Sequence, residues 1–261
     1  METGIRTLTE NDLSTLSTSK QIQFGAVGAT ADGRQFRYVS FGGVTTIAPG
    51  VLVSSPVIGS NQTGLVITAV GTGGQTSANL ALGSTQIVLT AGGTAFTADQ
   101  FAEGFLEINI GGGTATGTYS YRIRGNTAPA SSTGTFTVYL AQSDALRNTT
   151  ALVPGTDTAT VQLSPFSGVN ITSTANNPVG FTILPAVNTS SVTNYGWVQT
   201  HGLVNAIGDA SSIAVGNTVG PSSTTAGFVA LAVTTTKPPI GYARATSSTA
   251  SGSVSISVNI N

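Results

Sequence analysis

Short apolar runs separated by turn residues are the feature that most restricts the fold of this 261-residue chain. From residue 34 onwards, runs rich in Val, Ile, Thr, Phe and Tyr recur about every 8–15 residues, with Gly, Asn, Pro or Ser between them. Branched and aromatic side chains suit the pleated surface of a sheet, and Gly supplies the backbone conformations of tight turns. We therefore predict an all-β chain of sandwich- or barrel-type domains, with a short N-terminal arm and at most one or two short helices.

The predicted strands all combine β-favouring residues with a flanking turn signal. They lie at 34–40, 51–54, 65–70, 85–90, 104–110, 118–124, 135–140, 158–163, 180–184, 195–200, 202–206, 213–215, 228–232, 240–245 and 253–259. One short helix is predicted at 98–103, because Thr97 is a good N-cap and Gly104 follows its end. A weaker helical turn is expected at 144–147.

The C-terminal segment carries the clearest strand pattern. Val254, Ile256, Val258 and Ile260 alternate with serines and Asn259, so one face is apolar and the other polar. The segment contains neither a charge nor a proline, the usual protection of an exposed sheet edge. We therefore expect this strand to be paired on both sides, within the fold or across a subunit boundary.

Residues 1–20 differ from the rest of the chain because they hold five of its 19 charged side chains. The run Thr9 to Asp12 fits a loose capping box that opens a short helix, with Leu13 and Leu16 on one side. A helix this short is marginal in isolation. We predict an arm that is ordered only by docking, and a frayed terminus is the alternative.

Charge is scarce throughout the chain. Lys and Arg number 9 and Asp and Glu number 10, which is 7% of the residues against a usual ~25%. A folded monomer of this mass exposes on the order of 10,600 Å², or one charge per roughly 550 Å². Surfaces this poor in charge tend to associate. We interpret the depletion as surface that lies against other subunits; a soluble domain coated with Thr and Ser is the alternative.

The sequence offers little chemistry. Cysteine is absent, His201 is the single histidine, and no nucleophile elbow accompanies it. Outside the arm, Asp99, Glu103 and Glu107 are the acidic residues closest together, and a solvated face explains them better than a glycosidase pair. We predict no catalytic residue, no cofactor site and no metal site, and so a protein that is not an enzyme.

Partners other than protein are also disfavoured. The near-neutral balance does not support direct nucleic-acid binding, which needs a basic face. Residues 1–20 contain no apolar run, and the longest one, at 228–233, is far shorter than the ~20 residues that span a bilayer. We therefore expect a chain that is made and used without membrane insertion.

Several stretches of the sequence resemble tailed-bacteriophage capsid decoration, or cement, proteins. The resemblance covers most of residues 30–261 but not residues 1–20. Its motifs are strand and turn signatures: DGRQFRYV at 32–39 with 42–53 after it, 95–110, NYGWVQTHG at 194–202, 208–209 and IGYA at 240–243. The resemblance implies a virion structural protein, made in the host cytoplasm, that binds the outer surface of the capsid and stabilises capsomer junctions. Another phage component, such as a head fibre, tail tube or receptor-binding protein, is the alternative.

The implied partners are the major capsid protein and other copies of the chain, with a trimer as the first expectation and a dimer as the second. Arginines at strand ends are expected to meet carboxylates of a partner. The candidate interface residues are Arg6, Glu10, Asp12, Leu13, Leu16, Arg34, Arg37, Arg122 and Arg124.

The domain organisation follows from the stretches at 34–53 and 197–243, which look like parts of one module. After the arm, at 1–20, residues 21–60 and 166–261 are expected to form one β domain, with 61–165 inserted as a second. Two sequential domains, 21–165 and 166–261, are the alternative.

Overall fold

The computed structural model describes residues 4–42, 46–56, 63–111, 117–148, 151–171, 177–183, 187–188, 194–209, 212–232, 238–246 and 252–260. Strands dominate this part of the chain and the helices are short, which confirms the all-β prediction. The chain divides into two compact units. Unit 1 comprises residues 1–56 and 165–261, and unit 2 comprises residues 57–164.

The strands of unit 1 are mostly short. They are β1 (Arg6–Thr7), β2 (Val27–Ala29), β3 (Gln35–Phe41), β4 (Thr46–Ile47), β5 (Leu52–Ser54), β12 (Pro178–Thr182), β13 (Val187–Asn188), β14 (Asn194–Ile207), β15 (Thr218–Pro221), β16 (Val229–Leu231), β17 (Gly241–Ala243) and β18 (Ser253–Asn259). Ten of them form one mixed sheet, whose main path is β1-β2-β3-β14-β18-β17-β15-β16. The strands β12 and β5 branch from β14, and β4 pairs with β13.

The long strand β14 organises this sheet because it changes partner along its length. Its first half is antiparallel to β3, and its second half, from His201, is antiparallel to β18. The register slips between Gln199 and His201, and Gly202 has a φ of +97°. A side chain at Gly202 would also meet Arg34, whose Cγ lies 3.1 Å from the position of a Cβ. The sequence predicted two strands separated at residue 201, whereas the chain continues through a glycine-bearing bulge.

The C-terminal strand β18 lies between β14 and β17, which confirms that it is paired on both sides. Val254, Ile256 and Val258 are buried on its inner face. They pack with residues of the neighbouring strands, among them Val204 and Ala243. The predicted strand at 213–215 is wrong, because only an isolated bridge forms at Ile213.

The N-terminal segment belongs to unit 1. Helix α1 (Glu10–Ser14) has Thr9 as its N-cap. The predicted capping box is confirmed, with Asp12 as its second member. Leu8 and Leu13 are buried among Phe36, Tyr38 and Trp197. Leu8 packs directly against Gly28. A side chain at position 28 would collide with Leu8, whose Cδ1 lies 2.3 Å from the position of a Cβ.

The interpretation of residues 1–20 as an arm that only docking orders is therefore wrong for the described residues. Strand β1 adds to the edge of β2 in parallel, and Ser17 exchanges two backbone hydrogen bonds with Tyr195 on β14. The segment is held by its own chain, because its two leucines complete an aromatic cluster that would otherwise be open to water.

Unit 2 is a six-stranded antiparallel sheet that nearly closes into a barrel. Its strands are β6 (Leu65–Val66), β7 (Gln86–Thr90), β8 (Phe105–Ile110), β9 (Gly117–Asn126), β10 (Thr135–Leu140) and β11 (Thr158–Gln162), in the order β6-β11-β8-β9-β10-β7. A bridge between Ile67 and Leu89 joins the two ends of this order. Inward side chains such as Tyr121 and Phe136 fill the interior. Closure leaves few unpaired edges among these strands.

Among the described residues of unit 2, helix is limited to α2 (Ser77–Leu80) and a 3₁₀ turn at Gln142–Asp144, close to the helical turn expected at 144–147. The helix predicted at 98–103 is wrong. This segment is a series of turns in which Asp99 and Glu103 adopt positive φ values of 57° and 63°.

Candidate functional site

The residues first considered for catalysis are divided between the two units. His201 is exposed on β14 in unit 1. Asp99 and Glu103 lie in the turns of unit 2, and Glu107 faces outward on β8 opposite Ser120. Among the residues that the structure describes, no group of three or more His, Cys, Asp or Glu side chains is placed to hold a metal ion.

Four of the predicted interface residues gather around helix α1. Arg34 forms ion pairs with Asp32, at 2.7 Å, and with Glu10. Arg6 lies 3.8 Å from Asp12. Both carboxylates that Arg34 meets therefore come from its own chain, whereas the sequence led us to expect carboxylates of a partner.

The remaining predicted interface residues are dispersed. Leu13 is only 2% exposed, so it is a core residue and the assignment to an interface is wrong. Leu16 is half-buried and packs against a core cluster that includes Val39 and Val198. Arg37 donates to the Gly25 carbonyl at 3.0 Å, and its guanidinium lies over Phe166. In unit 2, Arg122 and Arg124 share the outer face of β9 and lie over the rings of Phe105 and Tyr139.

A concave surface, here called the arm cleft, lies between the N-terminal segment and β14. Its volume is about 420 Å³. Polar side chains from residues 6–21 form one wall: Arg6, Asn11, Asp12, Thr15 and Gln21. Aromatic residues of the sheet form the other: Tyr38, Tyr195 and Trp197.

The aromatic wall follows from strand register. Tyr38 on β3 is directly opposite Trp197 on β14, and their rings meet edge to face with centroids 5.3 Å apart. Tyr195, two residues earlier on β14, stacks against both Tyr38 and Phe24. The Tyr38 hydroxyl accepts a hydrogen bond from the Gln21 backbone at 3.0 Å. Burial raises the pKa of Tyr38, so this phenol stays neutral at physiological pH.

The polar wall is held in place by the capping box. Asp12 Oδ2 accepts from the backbone N–H of Thr9 at 2.8 Å and from its hydroxyl at 2.7 Å. These bonds, the backbone one foremost, lower the pKa of Asp12, and the nearby Arg6 charge acts in the same direction. Asp12 is therefore ionised at neutral pH, with its second carboxylate oxygen toward Arg6.

A smaller cavity of about 200 Å³ lies elsewhere in unit 1, with Arg37, Ser55, Phe166 and Thr200 in its lining. It has little polar surface beyond these groups. Among the described residues of unit 1, two buried side-chain atoms, the Ser54 hydroxyl and the Asn170 side-chain oxygen, have no hydrogen-bond partner. Each of these two atoms could therefore take part in a further hydrogen bond.

The outward surface of the second half of β14 and its neighbours is here called the outer face. It is defined by the residues that share register rows on that side: Thr218, Tyr242, Ser253, Ser255, Ser257, Asn259, His201, Leu203, Asn205 and Ile207. Leu203, Ser257, Tyr242 and Thr218 form one continuous row across four strands. Leu203 is 58% exposed and Tyr242 is 60% exposed. No Asp, Glu, Lys or Arg occurs among these residues, and the exposed Arg244, whose backbone N–H donates to the Ser255 carbonyl at 2.7 Å, borders them.

Sequence reasoning found neither surface as a unit. It selected Arg6, Asp12 and Leu16, which line the arm cleft, only as candidates for a capsid or subunit interface. It did not select Tyr38 or Tyr195, because the cross-strand register that aligns them is not visible along the chain. The outer face had a partial signal in the uncharged Ser and Asn positions of the C-terminal strand.

No protein-family model matches the chain, and searches of the curated proteins and of the solved structures likewise find no match. Among the described residues, no helix is long and apolar enough to cross a membrane. The interpretation of function therefore depends on the two surfaces and on the sequence itself.

Proposed function

We propose that this chain is a virion structural protein, a cement or decoration protein that binds the outer surface of a tailed-phage capsid and stabilises capsomer junctions. The observation that carries the proposal is the outer face, whose register rows hold no charged side chain and on which Leu203 and Tyr242 are exposed. Its proposed partners are the major capsid protein and further copies of the chain, assembled as a trimer or, as a second choice, a dimer.

The composition of the outer face supports a protein partner. Interface cores are depleted of charged residues and enriched in aromatic ones, and Tyr is a frequent hot-spot residue. Hydroxyl and amide groups such as those of Ser257 and Asn259 make hydrogen bonds without the cost of burying an unpaired charge. A broad contact of this kind needs no catalytic group, in agreement with the scattered acidic residues described above.

The resemblance of the strand and turn signatures to capsid decoration proteins is the second support. The charge-poor composition is the third, because it extends the low-charge character of the outer face to the chain as a whole. Of the alternatives, a receptor-binding component has a specific observation in its favour, namely the arm cleft.

The test uses purified full-length chain and capsid shells assembled without it. The expected result is saturable addition of the protein to the shells, followed by greater resistance of the shells to heat. The variants Leu203→Asp and Tyr242→Asp should each weaken this addition at least tenfold, because a buried, unpaired carboxylate is costly at an interface. Val66→Asp is the matched control, since Val66 is 52% exposed but belongs to unit 2.

Circular dichroism of each variant checks that the fold is intact. Shells that take up no protein would reject the proposal. Equal binding by the wild type and by both outer-face variants would reject the outer face as the contact surface. Sedimentation of the same variants without shells separates loss of self-association from loss of capsid binding.

A further inference from the structure

The arm cleft combines features that the proposed capsid contact does not use. The chain contains one tryptophan and six tyrosines, and the tryptophan and two of the tyrosines line this cleft. Two of the 19 charged side chains, Arg6 and Asp12, lie on its opposite wall. Its volume, about 420 Å³, falls within the range of small-molecule sites, about 300–1,000 Å³.

We propose that the arm cleft is a binding site for a neutral saccharide of one or two sugar rings. This inference goes beyond the proposed function and does not depend on it. Leu203 on the outer face is six residues after Trp197 on β14, or about 20 Å along an extended strand. A ligand in the cleft and a protein on the outer face can therefore be bound separately.

The spacing of Arg6 and Asp12 indicates the kind of polar group that the cleft accepts. The guanidinium Nη2 of Arg6 is 3.8 Å from Asp12 Oδ1, which is too long for a hydrogen bond. A hydroxyl placed between them can accept from the guanidinium and donate to the carboxylate at the same time. Adjacent hydroxyls of a sugar ring present such groups in pairs, and hydrogen bonds to charged groups are among the stronger ones.

The opposite wall suits the apolar side of the same ligand. A sugar ring carries its C–H groups on its faces, and the half-buried Tyr195 offers aromatic surface to pack against them, whereas Tyr38 and Trp197 are only 3% and 5% exposed. Tyr195 is half-buried and held by stacking on Tyr38 and Phe24, so this surface is fixed before a ligand arrives. A rigid aromatic wall lowers the entropy cost of binding.

The charge of the cleft favours a neutral sugar over an anionic one. Arg6 and Asp12 are opposite charges on one wall, and Asp12 is ionised because the hydrogen bonds from Thr9 lower its pKa. A carboxylated or sulfated sugar would gain from Arg6 but would be repelled by Asp12. A neutral polyhydroxyl ligand uses both groups.

The test exploits Trp197, which is the single tryptophan of the chain and lines the cleft. Tryptophan fluorescence of the full-length protein is titrated with glucose, galactose, N-acetylglucosamine, lactose and diacetylchitobiose, up to tens of millimolar. Saturation-transfer NMR on the same saccharides provides a second readout that does not depend on the indole. The expected result is a saturable change with at least one of these sugars.

Variants locate the site. Arg6→Ala and Asn11→Ala alter exposed side chains and should leave the fold intact, and Arg6→Ala should weaken binding about tenfold. Arg244→Ala is the control, because Arg244 is an exposed arginine of the same unit that does not line the cleft. The absence of binding by both methods would overturn the proposal. Sugar binding that Arg6→Ala and Asn11→Ala leave unchanged would overturn the assigned site.

A wider panel tests the ligand class. Free aromatic amino acids and sialic acid are titrated in the same way. Tighter binding of an amino acid than of every neutral sugar would overturn the saccharide assignment, and preferential binding of sialic acid would overturn the inference from the Arg6–Asp12 pair.

Discussion

The side-chain amide of Gln199 donates a hydrogen bond of 2.8 Å to the backbone carbonyl of Leu203, four residues further along the same strand. It also donates to the carbonyl of His201 at 3.1 Å. Gln199 is 1% exposed and sits where β14 slips in register against β3. One buried amide therefore satisfies two carbonyls at the bulge, between the half of the strand that lines the arm cleft and the half that presents the outer face.

Gln199→Met should destabilise unit 1, because it keeps the approximate volume of the side chain but leaves the carbonyls of His201 and Leu203 without this donor. The expected loss is about 1–3 kcal/mol in the free energy of unfolding. Urea unfolding followed by Trp197 fluorescence measures it, since that residue belongs to unit 1. Gln35→Met, at an exposed position on β3, should change stability by less than ~0.5 kcal/mol. Equal stability of the two variants would contradict this role for Gln199.

Leu13→Ala should destabilise unit 1 by about 2–5 kcal/mol, the usual cost of truncating a buried leucine. Leu13 is 2% exposed and packs in the cluster that contains Phe36 and Trp197. The fluorescence of Trp197 should shift toward the red as water reaches the cluster. Ile5→Ala is the control within the same segment, because Ile5 is 63% exposed. If Leu13→Ala unfolds at the same urea concentration as the wild type, the N-terminal segment is not part of the core.

The stability of unit 1 should fall in acid partly through Asp12. Hydrogen bonds from Thr9 hold the pKa of Asp12 below its ordinary value of 3.8 in the folded chain. A group whose pKa is lowered by folding stabilises the fold above its ordinary pKa, and this contribution is lost as the pH falls below 3.8 toward the folded value. The wild type should therefore exceed Asp12→Asn in stability at neutral pH, and the difference should shrink in acid.

Urea midpoints of the two proteins, measured across that pH range by Trp197 fluorescence, give the comparison. Glu107→Gln removes a carboxylate of unit 2 and should reproduce the wild-type pH profile of unit 1. A stability difference between the wild type and Asp12→Asn that stays constant as the solution is acidified would show that the Asp12 charge is not linked to folding.

Asn126→Leu should loosen the turns at 97–103 in unit 2. The Asn126 side chain accepts from the Phe101 N–H at 2.9 Å and donates to the Thr97 carbonyl at 3.1 Å, although it is only 2% exposed. Loss of these bonds should cost about 1–3 kcal/mol and expose Phe101. Hydrogen exchange of the 97–103 segment should accelerate in this variant. Asn109→Leu, on the outer side of β8, should leave that exchange unchanged.

Local patterns in the sequence predicted those elements whose stabilising contacts are themselves local. The alternation of Val254, Ile256 and Val258 identified β18, because the period of a strand fixes which side chains share a face. The capping box at Thr9 and Asp12 was predicted for the same reason, since its partners lie three residues apart. In contrast, residues 98–103 carry helix signals but are held in turns by Asn126, which is remote in sequence.

The sequence by itself determined that the chain is all-β and poor in charge, because composition and the two-residue period act along the chain. Only the tertiary structure decided where Leu8 and Leu13 pack, and that Arg34 is paired within its own chain. The arm cleft and the outer face depend equally on it. Tyr38 meets Trp197, and Leu203 lines up with Ser257 and Tyr242, through strand register, which is a relation between distant segments.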